Sequence, residues 1–262
     1  VSVAGVFQHR HLVPVARRIG LALPIVVLFI AWWLVAAAGW YPQELLVPPQ
    51  QVFAAVLELL DSGELQQHLQ ASLSRLAFGM LVGCSAGVLF GVLMALSRSV
   101  EIYLWPTFNV IRQVPSIALI PVLILIFGIG ETFKILIVTK AAFFPVALAA
   151  FTAVQGLSKN YFEVARIYQL PRHVLFFRII LPSTLPPIVT GVRLALGRSW
   201  GTLVAAELLA AESGIGQMME LGRQMFRIDV VMVGVVITGV IGFILDRAIR
   251  QAEKYFGRWQ VN

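Results

Sequence analysis

Side chains able to do chemistry are sparse in this sequence, and where they fall is informative. The four histidines, His9, His11, His68 and His173, lie outside the long apolar runs, and the single cysteine, Cys84, lies inside one. A lone thiol rules out an intramolecular disulfide and a cysteine-based metal site. No HExxH, GxSxG or clustered Cys/His set occurs, so the common metallohydrolase and serine-hydrolase arrangements are missing. A membrane-embedded enzyme needs a nucleophile and a base at one depth, and no such pair is present. The sequence also lacks G-x-x-x-x-G-K-[ST], so the chain does not bind ATP through a P-loop. Neither catalytic residues, metal ligands nor cofactor-binding residues are expected. What remains is charge in apolar surroundings: Arg112 and Gln113 beside Pro115, then Lys140, Arg193, Arg198 and Glu207. An arginine in hydrocarbon costs at least about 2.5–3.5 kcal/mol, so each should face a water-filled path or a partner.

The elements carrying these groups must be membrane helices. Of 262 residues, 59% are hydrophobic and 13% charged, and the mean hydropathy is +0.86. A soluble domain of this size has too little polar cover for so much apolar surface. The net charge of +7 comes from basic residues scattered singly or in pairs between apolar runs. Such scatter follows the cytoplasmic bias of Lys and Arg in membrane proteins and excludes a nucleic-acid partner.

Six spans are expected, with both termini on the cytoplasmic side. Residues 1–18 carry Arg10, Arg17 and Arg18 and no acid, forming a cytoplasmic segment ahead of a first, uncleaved span over 19–40. Residues 19–262 form one transmembrane domain. Glu44, Glu58, Asp61 and Glu64 mark the outer side, where Pro48-Pro49 opens an amphipathic helix too short to cross. In the second span, about 72–97, Gly79, Gly83, Gly87 and Gly91 recur every fourth residue. One face of that helix therefore has no side chains and admits close approach by another. The third span, about 102–127, holds Pro106, Pro115 and Pro121 and should be kinked or broken. The fourth covers about 133–154, the fifth about 183–211 and the last about 230–245, with a short outer helix over 217–226. Arg75, Lys134, Arg223 and Arg227 depart from the charge rule near the outer face, where neighbouring acids would offset them.

Between the fourth and fifth spans lies EVARIYQLPRHVLFFRIILP, residues 163–182. A connector that only closes a helical hairpin needs a few residues. This longer segment mixes Glu163, Arg166, Arg172 and Arg178 with apolar residues, and Leu170-Pro171 divides it into two short helices. It is built to be gripped at the cytoplasmic face.

The segment resembles the EAA loop in permease subunits of bacterial ATP-binding cassette importers. That family's pattern is E-A-A, three residues, G, nine residues, I, one residue, L-P. Glu163-Val164-Ala165, Gln169, Ile179 and Leu181-Pro182 fall at that spacing, with Val164 for the middle Ala and Gln169 for Gly. Because Gly permits a turn that Gln accepts less readily, the bend is expected at Leu170-Pro171 instead. The chain is most similar to permeases for aliphatic sulfonates, taurine and nitrate. Ser62-Gly63-Glu64-Leu65 with His68, Arg112-Gln113-Val114-Pro115 with Ala118-Leu119-Ile120-Pro121, Phe127-Gly128-Ile129 and Ser213-Gly214-Ile215-Gly216 carry that likeness.

The resemblance implies an all-α integral membrane protein of the type I importer (MetI-like) fold, in the bacterial inner membrane. It implies a second permease copy, two ATPase subunits holding ATP and Mg, and a periplasmic binding protein. The coupling segment, about 157–182, would use Glu163 as a polar anchor for the ATPase and Ala165 to keep that contact close. Arg166, Gln169, Leu170 and Pro171 would shape the segment, while Ile179, Leu181 and Pro182 fix it to the fifth span. With a small oxyanion as substrate, Arg112, Arg193 or Arg198 would offset its charge in a low-dielectric path, beside Gln113, Pro115 and Glu207. A stand-alone carrier and a membrane-embedded enzyme are the competing classes. The first leaves the long charged segment unexplained, and the second lacks its polar pair.

Overall fold

The chain was analysed as a computed structural model, which describes residues 23–24, 26–40, 42, 46–157 and 167–256. All regular structure among these residues is helical. Helix α1 is Val26–Ala37, α2 is Pro49–Asp61 and α3 is Glu64–Leu96. Pro49 occupies the start of α2, where its missing N–H costs nothing. The break before α3 is Gly63, at φ 77°. No residue after it interrupts the helix, so α3 begins at Glu64 rather than near residue 72. Its 33 residues extend about 50 Å, beyond a hydrocarbon core of about 30 Å. The polar first turns therefore lie beyond that core.

Helix α4, Arg98–Gln113, ends where Val114 turns to extended backbone before Pro115. A residue preceding proline is driven out of the helical region. A 3₁₀ turn, Ser116–Leu119, leads into α5, Ile120–Phe127, and the two arms are bent by 86°. The expected third span is thus broken. Helix α6 is Glu131–Gln155. After residue 166 come α7, Arg172–Leu175, a π-helical stretch, Phe176–Ile180, and α8, Leu181–Leu209. Helix α9, Ile215–Gln224, and α10, Ile228–Phe256, complete the chain.

By length and composition, three described helices suffice to cross a membrane: α3, α6 and α10; the bent α4–α5 pair makes a fourth. Helix α8 is as long as α10, 29 residues each, but carries Pro186, Pro187, Arg193 and Arg198.

Helix α6 is the centre of the packing, between α3 and α8. Its Ala141, Ala142, Ala147 and Ala150 are buried, as are Gly79, Gly83, Gly87 and Gly91 of α3. A Cβ on Gly83 would lie 2.6 Å from the Thr139 carbonyl oxygen, and one on Gly87 2.8 Å from that of Phe143. Neither position accepts a side chain without moving α6. Beside the start of α3, Val52, Ala55 and Leu59 of α2 pack with Met218, Val230 and Val233. Trp32 donates from Nε1 to the Val47 carbonyl at 3.1 Å, fastening α1 to the strand of chain before α2.

Candidate functional site

Two groups of charged side chains differ in how they are satisfied. One, near the start of α3, is built on one face of that helix, where His68, Ser72 and Arg75 are one and two turns apart. Arg75 is almost fully buried and donates to Glu131 from Nε at 2.5 Å and Nη2 at 2.7 Å. Its Nη1 reaches Glu207 at 2.8 Å and the Ser213 carbonyl at 2.6 Å. Glu207 also accepts from the Ser72 hydroxyl at 2.8 Å and from the Gly216 N–H at 3.2 Å. The Ile215 N–H donates to Ser72 Oγ at 2.9 Å, and the Gly214 N–H to His68 Nδ1 at 3.0 Å. Lys134, likewise buried, donates to Glu131 at 2.9 Å.

This network clamps the α8–α9 turn onto α3 and α6. Gly214 has φ 121°, and a Cβ on Gly216 would lie 2.7 Å from that of Glu207. The Ser-Gly-Ile-Gly run is thus a backbone that can approach the buried carboxylate. Near the surface, Arg223 pairs with Glu220, and Arg227 with Glu58 and Asp229. The four basic residues out of place by the charge rule all have carboxylate partners. Hydrogen bonding to Arg223 draws the Glu220 carboxyl down to about 2, and that to Arg227 holds Glu58 below its ordinary value.

The second group lines a cavity of about 430 Å³ at the break between α4 and α5. Arg112, Pro115 and Ser116 come from that break, Lys140 and Phe144 from α6, and Arg198 and Thr202 from α8. Lys140 is nine residues from the start of α6, about 13.5 Å along its axis. It donates to the Val114 carbonyl at 2.7 Å, one of the carbonyls freed by the helix break. Arg112 donates from Nη2 to Asn109 at 3.1 Å, and its buried Nε has no acceptor. Arg198 makes no hydrogen bond or ion pair among the described residues. Three cations share this cavity, and among its described lining residues there is no carboxylate.

Of the candidates read from the sequence, Arg112, Pro115 and Arg198 meet in this lining, while Gln113 ends α4 outside it. Glu207 belongs to the clamp on α3. Arg193 sits nearer the N-terminal end of α8, paired with Asp246 of α10 at 2.6 Å and Glu253 at 3.3 Å. Lys140 was legible as an intramembrane cation, but its place in the cavity depends on α6 crossing the helix break. In the segment expected to couple to an ATPase, Glu163, Ala165 and Arg166 lie outside the described residues. Gln169 has φ 47°, so the left-handed residue of the turn is Gln169 itself and not Leu170 or Pro171. The Pro171 carbonyl accepts from the Val174 and Leu175 N–H groups, starting α7. Ile179 lies in the π-helical stretch, Leu181 begins α8 and Pro182 follows in its first turn.

Comparison with known proteins gives this geometry a context. Residues 87–256 match the family model of the binding-protein-dependent transport system inner membrane component. SsuC of Bacillus subtilis, a permease protein named for aliphatic sulfonates transport, is 38% identical, covering 92% of this chain and 87% of the relative. The taurine transport system permease protein TauC of Escherichia coli is 35% identical over 94% and 92%. The nitrate import permease protein NrtB of Leptolyngbya laminosa is 32% identical over 71% and 70%. The fold is that of a chain in the inward-facing MetNI methionine ABC transporter, with a TM-score of 0.61 at 20% identity over 73% of this chain and 95% of that one.

Proposed function

This chain belongs to the inner-membrane components of binding-protein-dependent transport systems, the ABC transporter permeases, and we propose that it forms the translocation path for a small oxyanion. The observation carrying this reading is the cavity lined by Arg112, Lys140 and Arg198, with no carboxylate among its described lining residues. Three cations in a low-dielectric wall attract an anion and repel a cation. Aliphatic sulfonates and taurine are the favoured substrates, given the relatives named for them; nitrate is the second reading, from NrtB.

In this reading two copies of the chain line the path, a periplasmic binding protein delivers the anion, and two ATPase subunits hold ATP and Mg. Both termini of the chain face the cytoplasm. Each coupling segment, about 157–182, docks into one ATPase through Glu163 and Ala165. Closure of the ATPase dimer on ATP draws the docked segments together, and the helical run from Arg172 through α8 transmits that movement to Arg198. Hydrolysis resets the state. The chain itself then needs no catalytic group, and its affinity for the anion is weak, because the binding protein supplies most of the selection.

Co-expression with the partner ATPase tests the docking role. Glu163→Arg is expected to abolish ATP-driven uptake while leaving membrane insertion intact. Full uptake with undiminished co-purification of the ATPase would overturn it.

A further inference from the structure

Helix α10 keeps one face uncovered along much of its length. Val236, Val240, Phe243 and Ile244 are exposed and recur at the three- and four-residue spacing of one helix side. Arg247, Gln251 and Lys254, also exposed, continue that side for two more turns. At about 100° per residue, Arg247 and Lys254 stand within about 20° of each other around the axis, with exposed Arg250 at the edge of the same stripe. Arg258 keeps the spacing but lies outside the described residues. The acids of this end, Asp246 and Glu253, sit together roughly 100° around the helix and are turned to α8. Asp246 pairs with Arg193 at 2.6 Å; Glu253 pairs with it at 3.3 Å and accepts from the Thr190 hydroxyl at 2.6 Å. Arg250 reaches Asp246 at 3.4 Å, whereas Arg247 and Lys254 make no ion pair among the described residues.

An exposed face that is first apolar and then cationic matches hydrocarbon followed by a layer of negative headgroups. Residues 230–245 carry no charge and rise about 24 Å, so the stripe begins near the edge of a hydrocarbon core about 30 Å thick. We propose that Arg247, Arg250 and Lys254 form a binding surface for anionic phospholipid. The headgroup phosphate accepts from the guanidinium and ammonium groups, and an acyl chain lies along Val240, Phe243 and Ile244. A second copy of the chain is the other candidate to cover this face. About a twofold axis it would set the stripe against its own image, cation on cation, with no acid on that face among the described residues to relieve it.

The full chain in detergent is titrated with dioctanoyl phosphatidylglycerol and, separately, dioctanoyl phosphatidylcholine, and equilibrium binding is measured by thermophoresis. The anionic lipid is expected to bind more tightly, roughly tenfold or more, since each basic residue near a membrane surface contributes about fivefold. Arg247→Gln combined with Lys254→Gln should remove that preference and leave phosphatidylcholine binding unchanged. Arg247→Lys combined with Lys254→Arg keeps the charge and should retain it. Arg98 supplies the control. It stands at the same end of the bundle, because α3 and α10 both start beside α2, and it is exposed but paired with Glu101 at 2.8 Å. Its replacement by Gln should change binding by less than about twofold. Equal binding of the two lipids, or a preference unchanged in the double Gln variant, would overturn the site. An equal loss in Arg98→Gln would also overturn it, by reducing the effect to net charge. A double Gln variant that binds lipid normally but loses its ATPase or its second copy would assign the stripe to that partner instead.

Discussion

The clamp near the start of α3 and the cavity at the α4–α5 break each gather cationic side chains, yet they satisfy them in opposite ways. Around Arg75 every guanidinium nitrogen has an acceptor and Glu207 has a serine, a backbone N–H and an arginine. Around Arg112, Lys140 and Arg198 no carboxylate is supplied. Charge compensated inside the chain is architecture. Uncompensated charge around a cavity is, in the proposed function, a site for a counter-ion. The glycines repeat the lesson: on α3 they are filled by α6, and on α8 at Gly197 and Gly201 they open onto space.

Substitutions that break the clamp should therefore cost stability, and those that alter the cavity should cost transport. Arg75→Met leaves Glu207 buried without its cation, and loss of one partner of a buried pair costs about 3–5 kcal/mol. A large fall in the melting temperature of the purified chain checks this; an unchanged melting temperature would erase the distinction between the regions. Gly83→Leu forces α3 from α6 and is expected to cost at least about 1–3 kcal/mol, read as lost yield of stable complex. Gly201→Leu, on the open glycine face, should leave that yield intact.

Smaller effects sharpen the boundary. Gln169→Gly relieves a left-handed conformation costing an L-residue about 1–2 kcal/mol, and should modestly raise stability without loss of ATPase binding. Lowering pH separates exposed from buried ion pairs. Because Arg227 holds the Glu58 carboxyl below its ordinary value of 4.5, that link between α2 and the α9–α10 turn is fully present above this value. It weakens only as pH falls through the lowered one. Glu58→Gln should abolish this acid-side dependence in hydrogen exchange of α2 and change little at neutral pH.

Much of this was readable from the sequence where the signal is local. The four-residue glycine repeat announced the α3 face, and Pro115 announced the broken span, because backbone sterics act on neighbours. What escaped depended on residues far apart in the chain. Glu207 finds Arg75 across 132 positions, and Arg193 finds Asp246 across 53. No periodicity shows which intramembrane charges are paired. Lys140 joined the cavity only once α6 was seen beside the helix break. The turn at Gln169 was placed at Leu170-Pro171 because a glutamine in left-handed conformation runs against intrinsic preference.

The most direct test of the account is uptake of labelled propane-1-sulfonate into proteoliposomes holding the chain with its ATPase and binding protein. Wild type would be compared with Lys140→Met and Arg198→Met, and the melting temperature and ATPase content measured on the same samples. The account predicts uptake reduced roughly tenfold or more, with folding and assembly unchanged. Undiminished uptake, or uptake lost only in proportion to folded complex, would contradict it.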